Sequence, residues 1–157
     1  MKTILISFQP KWFEQIKSGE KIFEYRTQFP KEPVRAYMYV SKPVQAITGY
    51  IEFGNRISLL DWAEEYKNDA EVYPRVEEYL KRRKYVVPIL KYVDTAPIYL
   101  DDLKRDLDKF IIPQSYYFLD NYIELFDYVQ ERTVFGTHQI LNTFDKIDKN
   151  KVCQLNG

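Results

Sequence analysis

The sequence predicts an α+β fold, a small, partly open mixed β-barrel with flanking and inserted helices. Short apolar strand patterns recur along the chain, helical patterns lie between them, and 17% of the residues are aromatic, with 14 Tyr among them. Tyrosine combines an apolar ring with a polar hydroxyl, so a Tyr-rich chain suits the half-buried walls of a barrel or groove. Short strands that wrap back, with helices inserted between them, favour a barrel.

The first part of the chain contains the clearest strand patterns. An apolar run predicts a strand over residues 2–8, and a helix follows, with Pro10 in its first turn and Gly19 as its C-terminal stop. A second strand pattern ends at about Arg26, and strict alternation predicts a third strand over residues 34–40. We therefore expect a strand, a helix and two further strands in this order.

The fourth strand pattern spans residues 45–53 and contains one glycine. Period-two alternation places Ile47, Gly49 and Ile51 on one face. A glycine inside a strand often marks a bulge or a close approach of another segment. Gly49 is therefore a candidate for either a bulge or a close backbone approach.

Helical patterns dominate the middle of the chain. Ser58 with Asp61 resembles an N-terminal cap, and Asn68 with Glu71 resembles a capping box. These caps predict helices that begin at about residues 59 and 69.

The second half returns to strand composition and then to one amphipathic helix. Residues 85–100 have strand composition, and Pro88 and Pro97 indicate an edge strand, because proline cannot donate to a sheet. The amphipathic helix follows, and beyond it the chain is polar and aperiodic. We therefore divide the chain into a domain of residues 1–130 and a C-terminal extension of residues 131–157, which has no assigned role.

The charge balance limits how this chain can hold nucleic acid. It contains 23 Lys and Arg residues and 23 Asp and Glu residues, so its formal net charge is zero. A protein that binds nucleic acid mainly through phosphates is usually basic. Any nucleic-acid site must therefore be a local charged patch or a base pocket.

Cysteine content and hydropathy predict the cellular environment. Cys153 is the single cysteine, so no disulfide can form within the chain and a reducing compartment fits. The sequence contains no run of about 18 apolar residues and no signal segment. We expect a soluble, cytoplasmic protein that does not bind a membrane.

Motifs for cofactors and metals are missing from the sequence. It contains no Gly-rich phosphate loop and no dinucleotide fingerprint. His138 and Cys153 have no ligand-type neighbours in sequence, so a usual zinc site is not expected and both are interpreted as structural. We expect no metal and no cofactor.

The segment from Gly19 to Arg26 places charged side chains among apolar ones. Residues two apart share a strand face, so Glu24 and Arg26 can pair with each other or present an acceptor and a donor to a ligand. Lys21 would be a base or nucleophile if a partly buried pocket lowered its pKa. The spacing alone favours a surface lysine beside Gly19.

Two further groups have both a structural and a functional interpretation. The basic run at residues 81–84 lies towards the end of a helix pattern, and a solvated helix end is favoured over a phosphate contact. Tyr37, Tyr39 and Tyr50 would either stack on a nucleobase or pack under the helices. Packing is the favoured interpretation.

The order of these motifs resembles that of a known family. After the first helix comes G-x-K-x-x-E-x-R at residues 19–26, then V-S-x-P-x-x-x-I-x-G at residues 40–49, and later P-Q-S at residues 113–115 followed by Tyr and Phe. This order resembles the ASCH domains of the PUA-like superfamily over about residues 2–125. The resemblance is to a bacterial and archaeal subgroup of predicted regulators.

The resemblance implies a β-barrel with a cleft beside the first helix, where the family is thought to bind RNA or nucleotides. It implies that Lys21, Glu24 and Arg26 line this cleft. Chain geometry adds Ser7 and Lys11, at the strand–helix junction, as further ligand-binding candidates. The predicted function is a regulatory RNA- or nucleotide-binding module that recognises a base or a modified nucleotide, with RNA, a nucleotide or a nucleoside as its partner.

Two alternatives remain open. A related branch of the family hydrolyses the acetyl amide of acetylated cytidine with a lysine, a threonine and a distant glutamate. Lys21 matches that lysine, whereas Glu24 stands in place of the threonine, and both would be catalytic in an enzyme of this kind. The distant glutamate would be one of Glu64, Glu65, Glu71, Glu77 and Glu78. The second alternative is a regulatory protein-interaction module.

Overall fold

The sheet of this protein is organised around its longest strand, the 11 residues Tyr85–Thr95. The computed structural model describes residues 1–155, in which nine strands and five α-helices follow one another. None of the helices in this range has the length and apolar character that a membrane crossing requires. In chain order the elements are β1 (Thr3–Phe8), α1 (Pro10–Ser18), β2 (Phe23–Arg26), β3 (Val34–Val40), β4 (Ala46–Phe53), β5 (Ile57–Ser58), α2 (Leu59–Glu65), α3 (Tyr73–Leu80), β6 (Tyr85–Thr95), β7 (Ile98–Tyr99), α4 (Leu100–Asp106), β8 (Tyr116–Phe118), α5 (Ile123–Arg132) and β9 (Phe135–Leu141).

The sheet curls into an open half-barrel with the strand order β2-β6-β4-β3-β1-β8. β1 runs parallel to β3, with Thr3 opposite Arg35, and the other neighbours along this path are antiparallel. β5 and β9 also pair with β6, and β7 pairs with β4. The predicted α+β class and the partly open mixed barrel with flanking and inserted helices are confirmed.

The N-terminal elements follow the sequence patterns closely. Pro10 begins α1, where its missing N–H costs no helical hydrogen bond, and Gly19 ends the helix at φ 81°. Glycine adopts this left-handed backbone readily because it has no Cβ. The sharp stop leads directly into β2, so the G-x-K-x-x-E-x-R motif begins at a helix end and continues along a strand.

Gly49 forms a β-bulge, in line with its position inside a strand. The register between β3 and β4 shifts here, so that Thr48 and Gly49 together face Met38. Gly49 has φ 89°, and a Cβ atom at this position would lie 2.9 Å from Met38 Sδ. The extra residue breaks the alternation, and Ile47 and Ile51 enter different core clusters. The predicted common face is therefore wrong, because period-two alternation does not continue across a bulge.

The predicted start of the second middle helix is also corrected. Ser58 caps α2 as expected, since its hydroxyl accepts a backbone hydrogen bond. However, α3 begins at Tyr73 rather than at about residue 69. Asp69, and not Asn68, accepts the backbone hydrogen bonds here, and it caps a turn that precedes the helix. An Asx cap of this kind looks like a helix start in the sequence.

β6 is an interior strand, so the edge-strand prediction for residues 85–100 is wrong. Its first part pairs with β2 and β5, and its second part pairs with β4 and β9. Pro88 lies at the changeover, opposite Phe23, and its carbonyl accepts the Gly54 N–H at 2.9 Å. Pro88 therefore lies where the pairing of β6 with β2 ends and its pairing with β4 begins. At this point the missing N–H of Pro88 disturbs the hydrogen bonds between the strands least.

The C-terminal residues are more ordered than their aperiodic sequence suggests. β9 pairs with β6, and its residue His138 places Nε2 2.7 Å from the Lys17 carbonyl oxygen of α1. Further along, Val152 and Cys153 are fully buried. Nearly every residue of β9 is exposed, so the strand lacks the apolar alternation by which a half-buried strand is recognised. Residues beyond 130 thus extend the sheet and cover part of the core.

Three clusters of buried apolar side chains fill the fold. The first joins α1 to β1, β3, β4 and β6. The second includes Tyr37, Tyr39 and Tyr50 together with residues of α4 and α5, so the favoured packing interpretation of these tyrosines is confirmed. The third joins β2, α2 and α3 to Val152 and Cys153. The strand β2, which carries the charged motif, therefore packs on a core cluster to which the C-terminal segment also contributes.

Candidate functional site

A cleft of about 730 Å³ opens beside α1, within the size range of small-molecule sites. Residues from the end of β1, from β2, from the turn between α3 and β6, and from the loop at residues 112–115 line it. The charged motif thus meets segments that are distant in sequence. The charged lining residues are Lys21, Glu24, Arg26, Arg82 and Arg83.

Lys21 lies at the floor of the cleft and is buried, with only 3% of its surface exposed. Its Nζ atom lies 5.3 Å from the centre of the Trp12 ring and 4.9 Å from that of Tyr25. The same atom is 3.4 Å from Glu24 Oε1. The favoured interpretation as a surface lysine is therefore wrong, because aromatic side chains from α1 and β2 cover the amine.

Both carboxylate oxygens of Glu24 have partners. Oε2 accepts the Nε–H of Arg26 at 2.8 Å, and Oε1 accepts the Tyr25 backbone N–H at 3.2 Å and faces Lys21 Nζ. Glu24 and Arg26 lie on the same side of β2, as their two-residue spacing predicts. Because only 6% of Glu24 and 16% of the Arg26 side chain are exposed, the three charges form a largely buried triad rather than a surface ion pair. Complete pairing is needed here because removal of an ion from water is costly.

Arg26 connects β2 to β1 and to the loop at residues 112–115. Its Nη2 donates to the Ser7 carbonyl oxygen at 2.9 Å, and its Nη1 donates to Ser115 Oγ at 3.1 Å. The guanidinium carbon lies 5.1 Å from the centre of the Phe8 ring. The Ser7 hydroxyl in turn donates to the Pro113 carbonyl oxygen. One arginine therefore holds together the two sides of the cleft.

Burial acts on Lys21 and Glu24 with different outcomes. Burial lowers the pKa of Lys21 from its usual 10.5, and the adjacent Glu24 carboxylate only partly offsets this effect. Burial alone would raise the pKa of Glu24, but the charges of Arg26 and Lys21 outweigh it and hold this pKa below its usual value. The floor therefore combines a carboxylate that stays ionised with an amine that loses its proton more easily than usual.

The cleft is strongly cationic although the chain is neutral. Four cationic side chains and one carboxylate line it, which gives a formal net charge of +3, against zero for the whole chain. Aromatic rings, among them those of Trp12 and Tyr25, supply apolar walls beside these charges. Within residues 1–155, no group of three or more His, Cys, Asp and Glu side chains is placed to hold a metal ion. The cleft is chemically suited to a flat polar ligand that carries negative charge.

The structure brings together four of the five predicted ligand-binding residues. Ser7, Lys21, Glu24 and Arg26 line the cleft. Lys11 is exposed on α1, where its Nζ lies 4.6 Å from the centre of the Trp12 ring, and it does not belong to the lining. The ligand-binding roles of these five residues, and the catalytic roles of Lys21 and Glu24, stay predictions.

Sequence reasoning missed several lining residues. Trp12 is one of them, and its ring lies over the amine of Lys21. Ser115 and its neighbours form the far wall, and their P-Q-S motif was noticed without a location for it. Because β8 pairs with β1, it carries this loop to the cleft, and no local pattern in the sequence indicates that pairing.

The C-terminal segment forms hydrogen bonds to the charged motif on the side that faces away from the cleft. Lys151 Nζ and Gln154 Nε2 donate to the Glu20 carbonyl oxygen at 2.9 and 3.0 Å. The Cys153 N–H donates to the Tyr25 hydroxyl at 2.8 Å. These contacts fix the residues that flank the buried lysine and carboxylate, so the segment supports the floor of the cleft without lining it.

Comparison with known proteins identifies the family. A family model described as the ASCH domain matches residues 6–96, more than half of the chain. The chain belongs to the ASCH domain family. This family has a PUA-like fold and is often linked to RNA binding. The resemblance seen in the sequence motifs is thereby confirmed.

Solved structures of ASCH domains have the same fold. The crystal structure of ASCH from Zymomonas mobilis has a TM-score of 0.65 and 23% sequence identity, and the match covers 85% of this chain and 96% of that chain. A tyrosine-to-phenylalanine mutant of the Zymomonas mobilis protein gives a TM-score of 0.63 at 22% identity, covering 85% of this chain and 100% of that chain. No curated protein matches the chain. At such identities the similarity establishes the fold of this ASCH domain.

Proposed function

We propose that this ASCH domain is a regulatory module that binds RNA or a nucleotide and holds one base or modified nucleotide in the cleft. The observation that carries the proposal is the formal charge of +3 in an aromatic-walled cleft of a chain whose net charge is zero. Nucleotides combine a flat aromatic base with anionic phosphate, and such a cleft complements both parts. Outside the cleft the chain carries a formal net charge of −3, which suits recognition of one nucleotide better than tracking of a long phosphate backbone.

Polar side chains around the cleft support recognition of a base edge. Gln9, Gln28 and Gln114 line the cleft and are exposed, and within residues 1–155 their side-chain amides form no hydrogen bond. Each amide offers both a donor and an acceptor, which is the combination that base edges require. The partly exposed ring of Trp12 supplies apolar surface on which a base can stack.

Replacement of the buried cation tests the proposal. Lys21→Met keeps the length of the side chain and leaves Glu24 paired with Arg26. We expect it to weaken binding of short single-stranded RNA and of nucleoside monophosphates about tenfold, as for the loss of one charge-assisted hydrogen bond. Fluorescence anisotropy with labelled RNA and titration calorimetry with the monophosphates would measure this.

The matched control is Lys17→Met, which removes a lysine of α1 outside the cleft. Lys17 is 42% exposed, and its Nζ lies 3.8 Å from Asp94. We expect this variant to bind like the wild-type protein. If neither RNA nor any monophosphate binds the wild-type protein, or if both lysine variants bind equally well, the proposed function is wrong.

An amidohydrolase acting on acetylated cytidine is the second candidate. The observation that favours it is the buried Lys21, whose pKa burial lowers, in contact with a carboxylate. Against this, Glu24 is already bonded through both oxygens and its pKa is held low, so it is suited to orient Lys21 rather than to transfer protons. Binding therefore ranks first.

A time course with acetylated cytidine, read by chromatography, separates the two candidates. Acetate release by the wild-type protein that is lost in Lys21→Met would establish the enzyme. No release at high protein concentration, together with binding of the same nucleoside, would establish a binding module. Lys17→Met again serves as the control for the purity of the preparation.

A further inference from the structure

The turn between α3 and β6 is held firmly against the strand that carries the charged motif. The backbone N–H groups of Arg82 and Arg83 both donate to the Tyr79 carbonyl oxygen. The Thr27 hydroxyl donates to the Arg82 carbonyl oxygen at 3.2 Å, and the Lys84 N–H donates to that of Arg26 at 3.2 Å. The turn is thus anchored to both Arg26 and Thr27, at the mouth of the cleft.

The two arginines of this turn are available to a ligand. Both side chains are exposed and line the cleft. Within residues 1–155 neither guanidinium forms a salt bridge, whereas the preceding Lys81 is paired with Glu78 at 2.9 Å. In the part of the chain that the structure describes, the one side-chain hydrogen bond of the pair joins Arg83 Nη1 to the Arg82 carbonyl oxygen at 3.0 Å. Two adjacent cations without a carboxylate are repulsive unless an anion is present.

We propose that Arg82 and Arg83 form a phosphate subsite, which holds the phosphate next to a base bound over the floor of the cleft. The inference rests on the proposed function and narrows its ligand to nucleotides or RNA rather than free nucleosides. A guanidinium matches phosphate geometry with two parallel hydrogen bonds, and two neighbouring guanidiniums can engage one phosphate from two sides. Gln28 also lines the cleft, and its side-chain amide can supply a further donor.

The subsite also explains why the basic run at residues 81–84 is divided in its contacts. Only its two middle members line the cleft, while Lys81 pairs with Glu78 and Lys84 lies 5.4 Å from the centre of the Tyr85 ring. All four residues are exposed, so the run is solvated, as the favoured interpretation expects. Its two arginines in addition line the cleft, whereas its two lysines do not.

Ligands with and without phosphate test the subsite directly. Calorimetric titrations would compare the four common ribonucleosides with their 5′- and 3′-monophosphates. We expect the protein to bind the better of the two monophosphates about tenfold more tightly than it binds the corresponding nucleoside. One charge-assisted hydrogen bond contributes about this much to affinity. Arg82→Gln/Arg83→Gln should abolish this advantage of the monophosphate over its nucleoside.

Lys81→Gln is the matched control, because it removes an adjacent cation from outside the cleft. Equal affinity for nucleosides and monophosphates in the wild-type protein would overturn the subsite. The subsite would also be wrong if Arg82→Gln/Arg83→Gln lost no more affinity for the monophosphate than Lys81→Gln does. In both cases the cleft would still bind bases, and the proposed function would stand. If no nucleoside, monophosphate or short RNA binds at all, the proposed function itself fails.

Discussion

The charges of the cleft occur in two contrasting environments. At the floor, Lys21, Glu24 and Arg26 are largely or fully buried and joined to one another. At the rim, Arg82 and Arg83 are exposed, and no carboxylate within residues 1–155 pairs with them. The charges at the floor are therefore already desolvated and paired in the folded protein, whereas the charges at the rim are hydrated and can pair with a ligand.

Because of this difference, removal of a charged side chain has different effects at the floor and at the rim. Charges at the floor are held by hydrogen bonds to the backbone and to distant loops, so their removal alters stability and the shape of the site. Charges at the rim are hydrated and screened by salt, so their removal alters attraction to anions with little effect on stability. Variants that separate the two effects can break or sharpen this comparison.

The largest effect is expected at the centre of the buried triad. Glu24→Gln removes the carboxylate that lies between two cations and leaves both of them buried without an anion. We expect the free energy of unfolding to fall by about 3–5 kcal/mol, the usual result of breaking a buried ion pair from one side. Urea unfolding followed by tryptophan fluorescence would measure the loss.

Glu78→Gln provides the control, since it removes the carboxylate of the exposed pair with Lys81. We expect no measurable change in stability from this variant. If both glutamate variants unfold at the same urea concentration, the triad does not stabilise the fold and the distinction between floor and rim disappears.

A smaller loss is expected where the C-terminal segment supports the floor. Tyr25→Phe keeps the ring beside Lys21 and deletes the hydroxyl that accepts the Cys153 N–H. A buried N–H is left without a partner, which should lower the free energy of unfolding by about 1–3 kcal/mol. Tyr99→Phe, at a 52% exposed tyrosine, is the control. Equal stability of the two variants would show that the C-terminal contact is not needed.

Much of the floor could be predicted from the sequence because its determinants are local. Gly19 ends a helix, and the two-residue spacing of Glu24 and Arg26 places them on the same face of one strand. The burial of Lys21 could not be predicted in the same way. It depends on Trp12, which lies nine residues earlier, and on the ring of Tyr25, and their relative positions follow from how α1 packs on the sheet.

The remaining walls of the cleft depend on pairings between distant strands. Arg82 reaches the cleft because β6 pairs with β2, and Ser115 reaches it because β8 pairs with β1. β9 was not predicted because its exposed residues lack apolar alternation. Local patterns therefore defined the α+β class and most strands, while the bulge at Gly49 and the partners of β6 required the structure.

The pH dependence of stability tests whether Lys21 is buried as a cation. Its pKa is lowered in the folded protein and is close to 10.5 in the unfolded chain. Between these two values the unfolded chain binds more protons, so the contribution of Lys21 to stability rises with pH and becomes constant above 10.5. Lys21→Met lacks this contribution. We therefore expect the stability of the variant relative to the wild-type protein to fall as the pH rises from neutral towards 10.5.

Urea unfolding of both proteins across this pH range would measure the difference. Lys17→Met serves as the control, because its side chain is 42% exposed rather than buried. A constant difference between Lys21→Met and the wild-type protein over the whole range would show that the amine is hydrated in solution and would remove Lys21 from the buried floor.

The smallest expected effect is on the salt dependence of binding at the rim. Each phosphate contact with single-stranded RNA contributes roughly 0.7 to the slope of log affinity against log salt. Arg82→Gln/Arg83→Gln should therefore reduce the slope by roughly 0.7 if the pair holds one phosphate, and its stability should stay within about 0.5 kcal/mol of the wild-type protein. Lys21→Met should weaken binding with an unchanged slope, because its buried charge is already paired with Glu24. If the floor variant changes the slope and the rim variant does not, the phosphate lies over Lys21 and the assignment of the two regions is reversed.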